Sequence, residues 1–273
     1  MQLKSKKLLS GPYLIWSLAF IIIPLLIIVY YGFTTKEGGF TFTNIAQITT
    51  PENLKALGLA ILLSLVSTIV CLLLAFPLAM ILSGMNVNQT SFVVLIFILP
   101  MWMNFLLRTL AWQSLLEKNG VINAILSFLH LPSLNIINTP AAIILGMVYN
   151  FLPFMVLPIY NVLIKIDKDV ISAARDLGAS NIQTFTKIIL PLSKPGIISG
   201  ITMVFVPALT TFVISDLLGG SKILLIGNVI EQEFKQSSNW HTGSGLSLVL
   251  MLFIIISMAM IAKYDKDGEG SIF

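Results

Sequence analysis

Residues 171–197 read ISAARDLGASNIQTFTKIILPLSKPGI, a polar and finely punctuated stretch inside a chain that otherwise passes from one apolar block to the next. Its local physics is explicit. Asp169 is expected to cap a short helix over 170–177, with Gly178 as the residue that stops it. Ser180 stands three residues before Gln183, the spacing of a capping box, so a second helix is expected from there to about Leu190, ahead of Pro191. Ala173, Ala174 and Gly178 are small, which leaves the first helix open to close approach by another surface. Ile182, Phe185 and Ile189 make an apolar stripe on the second, able to rest on whatever lies beneath. The stretch reads as a helical hairpin with one arm held and the other presented.

What lies beneath follows from composition. The chain has 273 residues, 56% hydrophobic and only 10% charged, with a mean hydropathy of +0.94; soluble domains carry about 25% charged residues. The fold class is therefore an all-α membrane protein. Six apolar stretches, near 12–31, 57–82, 92–116, 141–163, 195–217 and 245–262, each match the ~17–25 residues that cross a bilayer as helix. The third carries Arg108 and Gln113, and Arg108 is expected to snorkel from the helix end. The whole of 1–273 is read as one domain, with its core at about 57–262 and the hairpin loop at 167–194.

Charge orients the bundle. Lys4, Lys6 and Lys7 resemble the flank of a signal peptide, but the apolar run that follows is too long and lacks a small-residue cleavage site, so it is kept as a helix. Six spans put both termini on one side, with ten Lys and Arg on that side against six on the other. Both termini and the hairpin are thus expected in the cytoplasm of a cell whose plasma membrane holds the chain. The net charge of +4 is largely this orientation signal and calls for no nucleic acid.

Several chemistries are excluded. Cys71 is the one cysteine, inside the second span, and His130 and His241 fall in outer loops without a neighbour at ligand spacing, so both are expected to be solvated and no metal site or cofactor is expected. No G-x-x-x-x-G-K-[ST], H-E-x-x-H or G-x-S-x-G occurs, so the chain is not expected to be an enzyme or to hydrolyse a nucleotide itself. A secondary transporter or channel would also be a helical bundle, though intramembrane ionisable relays or paired broken helices would be expected of it. The hairpin alone could equally lie at the headgroups, with Lys187 and Lys194 facing anionic lipid.

A family resemblance weighs between these readings. Ser172-Ala173-Ala174, Gly178, Phe185, Ile189, Leu190-Pro191 and Pro195-Gly196 resemble the E-A-A-x-x-x-G loop of permease subunits in type I ABC importers. The resemblance implies the six-helix permease fold, with Ser172, Ala173, Ala174, Gly178 and Ala179 presented to a cytoplasmic ATPase dimer that hydrolyses ATP on a separate chain. Serine replaces the family's usual glutamate at 172. With Asp169 as cap that position would be N3, and Ser172 would lose the reach back to the cap, leaving Asp169 to cap alone.

Pro100-Met101-Trp102-Met103-Asn104, Leu152-Pro153-Phe154-Met155-Val156, Ser215-Asp216-Leu217-Leu218-Gly219-Gly220 and Leu225-Ile226-Gly227-Asn228-Val229-Ile230 narrow the resemblance to spermidine/putrescine importer permeases. It then implies a second homologous permease subunit and an extracellular polyamine-binding protein as further partners, with other small solutes as the alternative cargo. A polyammonium path needs carboxylates or aromatic faces. Asp216, at the outer end of the fifth span, and Trp102, Asn104, Tyr149 and Tyr160 are the candidates. Packing is the competing role for Trp102, and a solvated acid or a helix-end pair with Lys222 for Asp216. Residues 117–120 read as a turn leading into a short amphipathic helix through Leu129, and 263–273 as a frayed tail.

Overall fold

The computed structural model describes residues 11–85, 99–220 and 222–269. Lys4, Lys6 and Lys7 and the first part of the third apolar stretch lie outside the described residues. In chain order the helices are α1 (Pro12–Gly32), α2 (Pro51–Gly84), α3 (Phe105–Leu116), α4 (Val121–Phe128), α5 (Pro140–Leu163), α6 (Lys168–Asp176), α7 (Asn181–Leu192), α8 (Lys194–Thr210), α9 (Val213–Gly219), α10 (Ile226–Lys235) and α11 (Trp240–Glu269). No strand occurs among the described residues, only an isolated antiparallel bridge between Thr34 and Phe40.

Among the described residues four helices, α1, α2, α5 and α11, are long and apolar enough to cross a membrane singly, and α7 with α8, bent by 63° at their junction, makes a fifth candidate. The remaining stretches depart from expectation in instructive ways. The third is interrupted: a 3-10 turn, Leu99–Trp102, precedes α3, and Asn104 starts the helix anew. The fifth ends at Thr210 instead of 217, where Thr210, Thr211 and Val213 crowd β-branched side chains three residues beyond Pro207. Conversely α11 continues through Glu269, so the stretch from 263 is helix where fraying was expected. Arg108 does not snorkel; it is buried in α3.

The chain forms two compact units. The first takes its described residues from Met1–Lys55 and Val229–Ile255. Within it α1 contains one π turn, Leu18–Ile22, and exposes most of its apolar length, with Ile28 and Tyr31 half-buried and Gly32 buried, against which Leu248 is packed. Asn44 Nδ2 donates to the carbonyls of Gly32 (3.2 Å) and Thr34 (2.9 Å) just past the helix end. His241 Nδ1 lies 2.6 Å from the Thr34 carbonyl and 3.2 Å from that of Tyr31, so this nitrogen carries the proton. His241 is therefore a structural donor in the first turn of α11, not a solvated loop residue.

The second unit draws on Ala56–Asn228 and Ile256–Phe273. One face of α2, from Ala56 through Ala60, Ser64, Ser67, Cys71 and Ala75 to Ala79, is small and buried, while Leu62, Ile69, Leu73 and Ile81 on the other are more than half exposed. That inversion is what a hydrocarbon solvent permits. α2 faces α5, with Ser67 Oγ 3.3 Å from Met147 Sδ. α8 crosses α5 through Gly196 and Gly200, four residues apart on one face of the helix. An added Cβ at Gly196 would lie 2.9 Å from the Pro158 carbonyl oxygen and 3.0 Å from Ile159 Cα, both backbone atoms; at Gly200 it would meet Met155 Sδ at 2.6 Å. Backbone cannot yield as a thioether can. Gly196→Ala is thus expected to destabilise the bundle by about 1–3 kcal/mol and more than Gly200→Ala does. Unfolding in mixed micelles of rising SDS fraction measures both, and an equal or reversed order would remove the α5–α8 crossing as the reason.

Candidate functional site

The hairpin at 167–192 builds itself from its caps. Asp167, not Asp169, is the N-cap of α6: its Oδ1 accepts from the Asp169 N–H at 2.9 Å. Asp169 instead sits in the first turn, where its charge suits the helix dipole, as Arg175 does in the last. The shift by two residues makes Val170 the N3 residue, so Ser172 has no part in a capping box and its difference from glutamate costs no cap. At the far end the Ala179 N–H bonds the Ala174 carbonyl (3.0 Å) and the Gly178 N–H that of Arg175 (2.9 Å), a Schellman closure that requires the left-handed Gly178 at φ +85°.

Ser180 opens α7 with the expected capping box, its N–H donating to Gln183 Oε1 at 2.9 Å and its Oγ accepting from the Gln183 N–H at 3.3 Å. The helix does not stop before Pro191. It widens into a π turn, Phe185–Ile189, and continues to Leu192. Widening moves the proline ring off the carbonyl it would strike in an α turn, and Ser193 Oγ then donates to the carbonyls of Ile189 (2.8 Å) and Leu190 (3.0 Å) at the bend. Phe185 anchors the hairpin edge-on against Phe76, ring centroids 5.6 Å apart, beside the buried Thr184. Ile182 does not share that anchor: it is 76% exposed, and Leu177 is 89% exposed. Ser172, Ala173 and Gly178 are exposed and Ala174 and Ala179 half-buried, so the five residues stay together on the outer arm. An added Cβ at Gly178 meets nothing within 4 Å.

The five path candidates, by contrast, are spent on separate tasks. Asn104 is the N-cap of α3, its Oδ1 accepting from the N–H groups of Leu106 (2.9 Å) and Leu107 (3.3 Å). Trp102 is 78% exposed on the preceding turn. Tyr149 packs edge-on against Trp112 at 5.2 Å and lines a groove of about 470 Å³ with Val70, Ile144 and Leu152, an apolar surface without a carboxylate. Tyr160, half-buried, lies three turns further along α5, about 16 Å on in an ideal helix.

Asp216 is not at the end of the fifth span but in α9, beyond the break at 211–212. α9 packs against α3 and α5, with Ile214, Ser215, Leu218 and Gly219 buried and Asp216 half-buried. One residue outside the five candidates bridges the break. Asn228, fully buried, donates through Nδ2 to the Phe212 carbonyl (3.1 Å) and Asp216 Oδ1 (2.6 Å), and accepts at Oδ1 from Ser215 Oγ (2.6 Å) and the Leu225 N–H (3.0 Å). All four capacities of the amide are used. Its signal was legible as a lone amide within Leu225-Ile226-Gly227-Asn228-Val229-Ile230. Gly227 lets the loop reach the break, since a Cβ there would lie 2.8 Å from the Thr210 carbonyl oxygen. Gly220, at φ +61°, is held close against Asn138 rather than free to hinge.

Comparison with known proteins bears on both features. The family described as binding-protein-dependent transport system inner membrane component matches residues 4–266. The chain belongs to that family. The permease is 36% identical over 259 residues to the spermidine/putrescine transport system permease protein PotB of Haemophilus influenzae, covering 92% of this chain and 91% of that one. To the Escherichia coli protein of the same name it is 37% identical over 245 residues, 87% and 89% of the two chains. In fold it resembles a chain of a bacterial alginate ABC transporter in complex with an alginate pentasaccharide-bound periplasmic protein, at TM-score 0.79 and 16% identity over 95% of this chain and 94% of that one. A second structure, of a bacterial ABC transporter importing alginate, matches at TM-score 0.80 and 17% identity over 100% and 98%. The permease is thus an inner-membrane, multi-pass helical component of an ABC importer, and the secondary-transporter reading falls.

Asn228→Ala removes four hydrogen bonds at a buried break and takes the acceptor from the buried Leu225 N–H. It is expected to cost about 1–3 kcal/mol, read as a lowered thermal midpoint of the detergent-solubilised permease, and an unchanged midpoint would deny the clasp its structural role.

Proposed function

We propose that the permease passes polyamines of the spermidine and putrescine type into the cytoplasm, driven by ATP hydrolysis on a cytoplasmic ATPase dimer that docks on the 167–194 hairpin. The relatives over 87–92% of the chain, named as spermidine/putrescine permeases, support the cargo. Another small solute is the alternative. A second homologous permease subunit and an extracellular polyamine-binding protein complete the assembly, and both termini lie in the cytoplasm. The chain itself performs no catalysis.

The observation that carries the coupling role is the pair Leu177 and Ile182, 89% and 76% exposed on a hairpin locked by a Schellman turn and a capping box. Exposed apolar side chains on a rigid, twice-capped element favour docking into a partner's cleft, because little ordering entropy is left to lose on binding. Ser172, Ala173, Ala174, Gly178 and Ala179 surround them and let that partner approach the backbone. Gly178→Val strains the left-handed residue by about 1–3 kcal/mol without meeting any neighbour. Transport-linked ATP hydrolysis of the reconstituted importer is expected to fall several-fold, as with Leu177→Glu, while membrane insertion persists. Full stimulation in both variants would return the hairpin to the headgroups. Leu177→Cys, in a Cys71→Ala background and expressed without the ATPase, is expected to react with an impermeant thiol reagent only from the cytoplasmic side; labelling of intact cells would reverse the topology.

Asp216 is proposed to attract the cargo's ammonium groups at the outer mouth, with Trp102, Asn104, Tyr149 and Tyr160 along the remaining path. Asp216→Asn keeps an oxygen to accept from Asn228, so it removes charge while the clasp survives. Uptake of labelled spermidine at low concentration should drop several-fold with assembly intact; normal uptake would leave Asp216 a purely structural acid.

A further inference from the structure

The helix α4 is inside out. At 100° per residue Val121, Ile125, Phe128 and Leu129 fall within an arc of about 100°, and they are 57%, 54%, 84% and 57% exposed. Ile122, Asn123 and Leu126 turn toward the protein instead. Leu131 and Leu134 on the returning segment, 51% and 43% exposed, extend the apolar patch. The arrangement is clamped: buried Asn123 donates through Nδ2 to the carbonyls of Glu117 (3.1 Å) and Leu134 (3.0 Å), and its Oδ1 accepts from the Leu134 N–H at 2.7 Å. One amide fixes the turn before the helix and the segment after it, so the patch is built to face away from the chain.

We propose that α4 is an interfacial helix, lying along the outer boundary of the bilayer with Val121, Ile125, Phe128 and Leu129 in lipid. The proposal rests on the chain being a membrane component and is independent of its cargo. Three observations select lipid as the occupant. α4 follows α3 after only four residues and packs against it, and α3 itself shows Leu106 and Leu107, 47% and 61% exposed, so both helices turn apolar side chains away from the protein. α4 carries no charged side chain, and a binding protein that arrives and leaves would abandon the patch to water in every cycle. Association with another membrane helix favours small residues and interhelical hydrogen bonds, whereas this face offers only large aliphatic and aromatic groups. The result is a segment between α3 and α5 pinned at a fixed depth, which would hold the outer mouth steady while the hairpin on the other side moves.

Spin labels at Phe128→Cys, Ile125→Cys and Ser127→Cys, each in a Cys71→Ala background, test this in the assembled importer reconstituted into phosphatidylcholine and phosphatidylglycerol vesicles. Labels at 128 and 125 are expected to favour collisions with oxygen over a water-soluble nickel chelate several-fold more than the label at 127, which lies off the stripe. Equal access to the chelate at all three positions would place α4 in water and overturn the proposal. Shielding of 128 and 125 from both reagents would show a protein partner on the patch and overturn it equally.

Discussion

A backbone carbonyl or N–H left unpaired in hydrocarbon costs several kcal/mol, and the architecture of this permease follows from how that cost is met. Its helices are not continuous rods. They break at 103–104, at Ser193, at 211–212 and around the 117–139 connection, and in each place a small polar side chain bonds backbone groups at the break. Asn104 caps α3, Ser193 closes the bend between α7 and α8, Asn228 closes the step between α8 and α9, and Asn123 ties both ends of the α4 segment. Each closure is a single hydroxyl or amide, so each is a point where the bundle can be irregular without being weak.

Those closures divide the molecule by function. The membrane-facing part is held by close approach, with Gly196 and Gly200 bringing α8 onto α5 and small residues lining the buried face of α2. The hairpin has no buried core of its own beyond Thr184 and the contact of Phe185 with Phe76. It keeps its shape through caps at both turns and leaves Leu177 and Ile182 in the open. Its conformation therefore depends on local hydrogen bonds more than on burial. The 63° bend at Ser193 connects it directly to α8, and α8 to the break that Asn228 closes. Hydrogen-bonded junctions therefore lie at both ends of α8, between the hairpin and Asp216.

Much of this was legible without coordinates. Composition alone required a helical membrane protein, because apolar runs of this length have no other home. The hairpin was legible because capping is local chemistry: Ser180 and Gln183 carry their own geometry, and Gly178 is read from the conformation only glycine adopts cheaply. Where two acids compete for one cap, at Asp167 and Asp169, local chemistry was degenerate and the wrong one was favoured. Hydropathy also could not see a break inside an apolar run, since Thr210, Thr211 and Phe212 score alike whether helical or not. Only tertiary structure decided that Asp216 answers to Asn228, twelve residues on, that His241 serves the carbonyls after α1, and that α4 turns Val121, Ile125 and Phe128 outward. Each of those depends on which residues meet across the fold, and periodicity along the chain carries no information about such meetings.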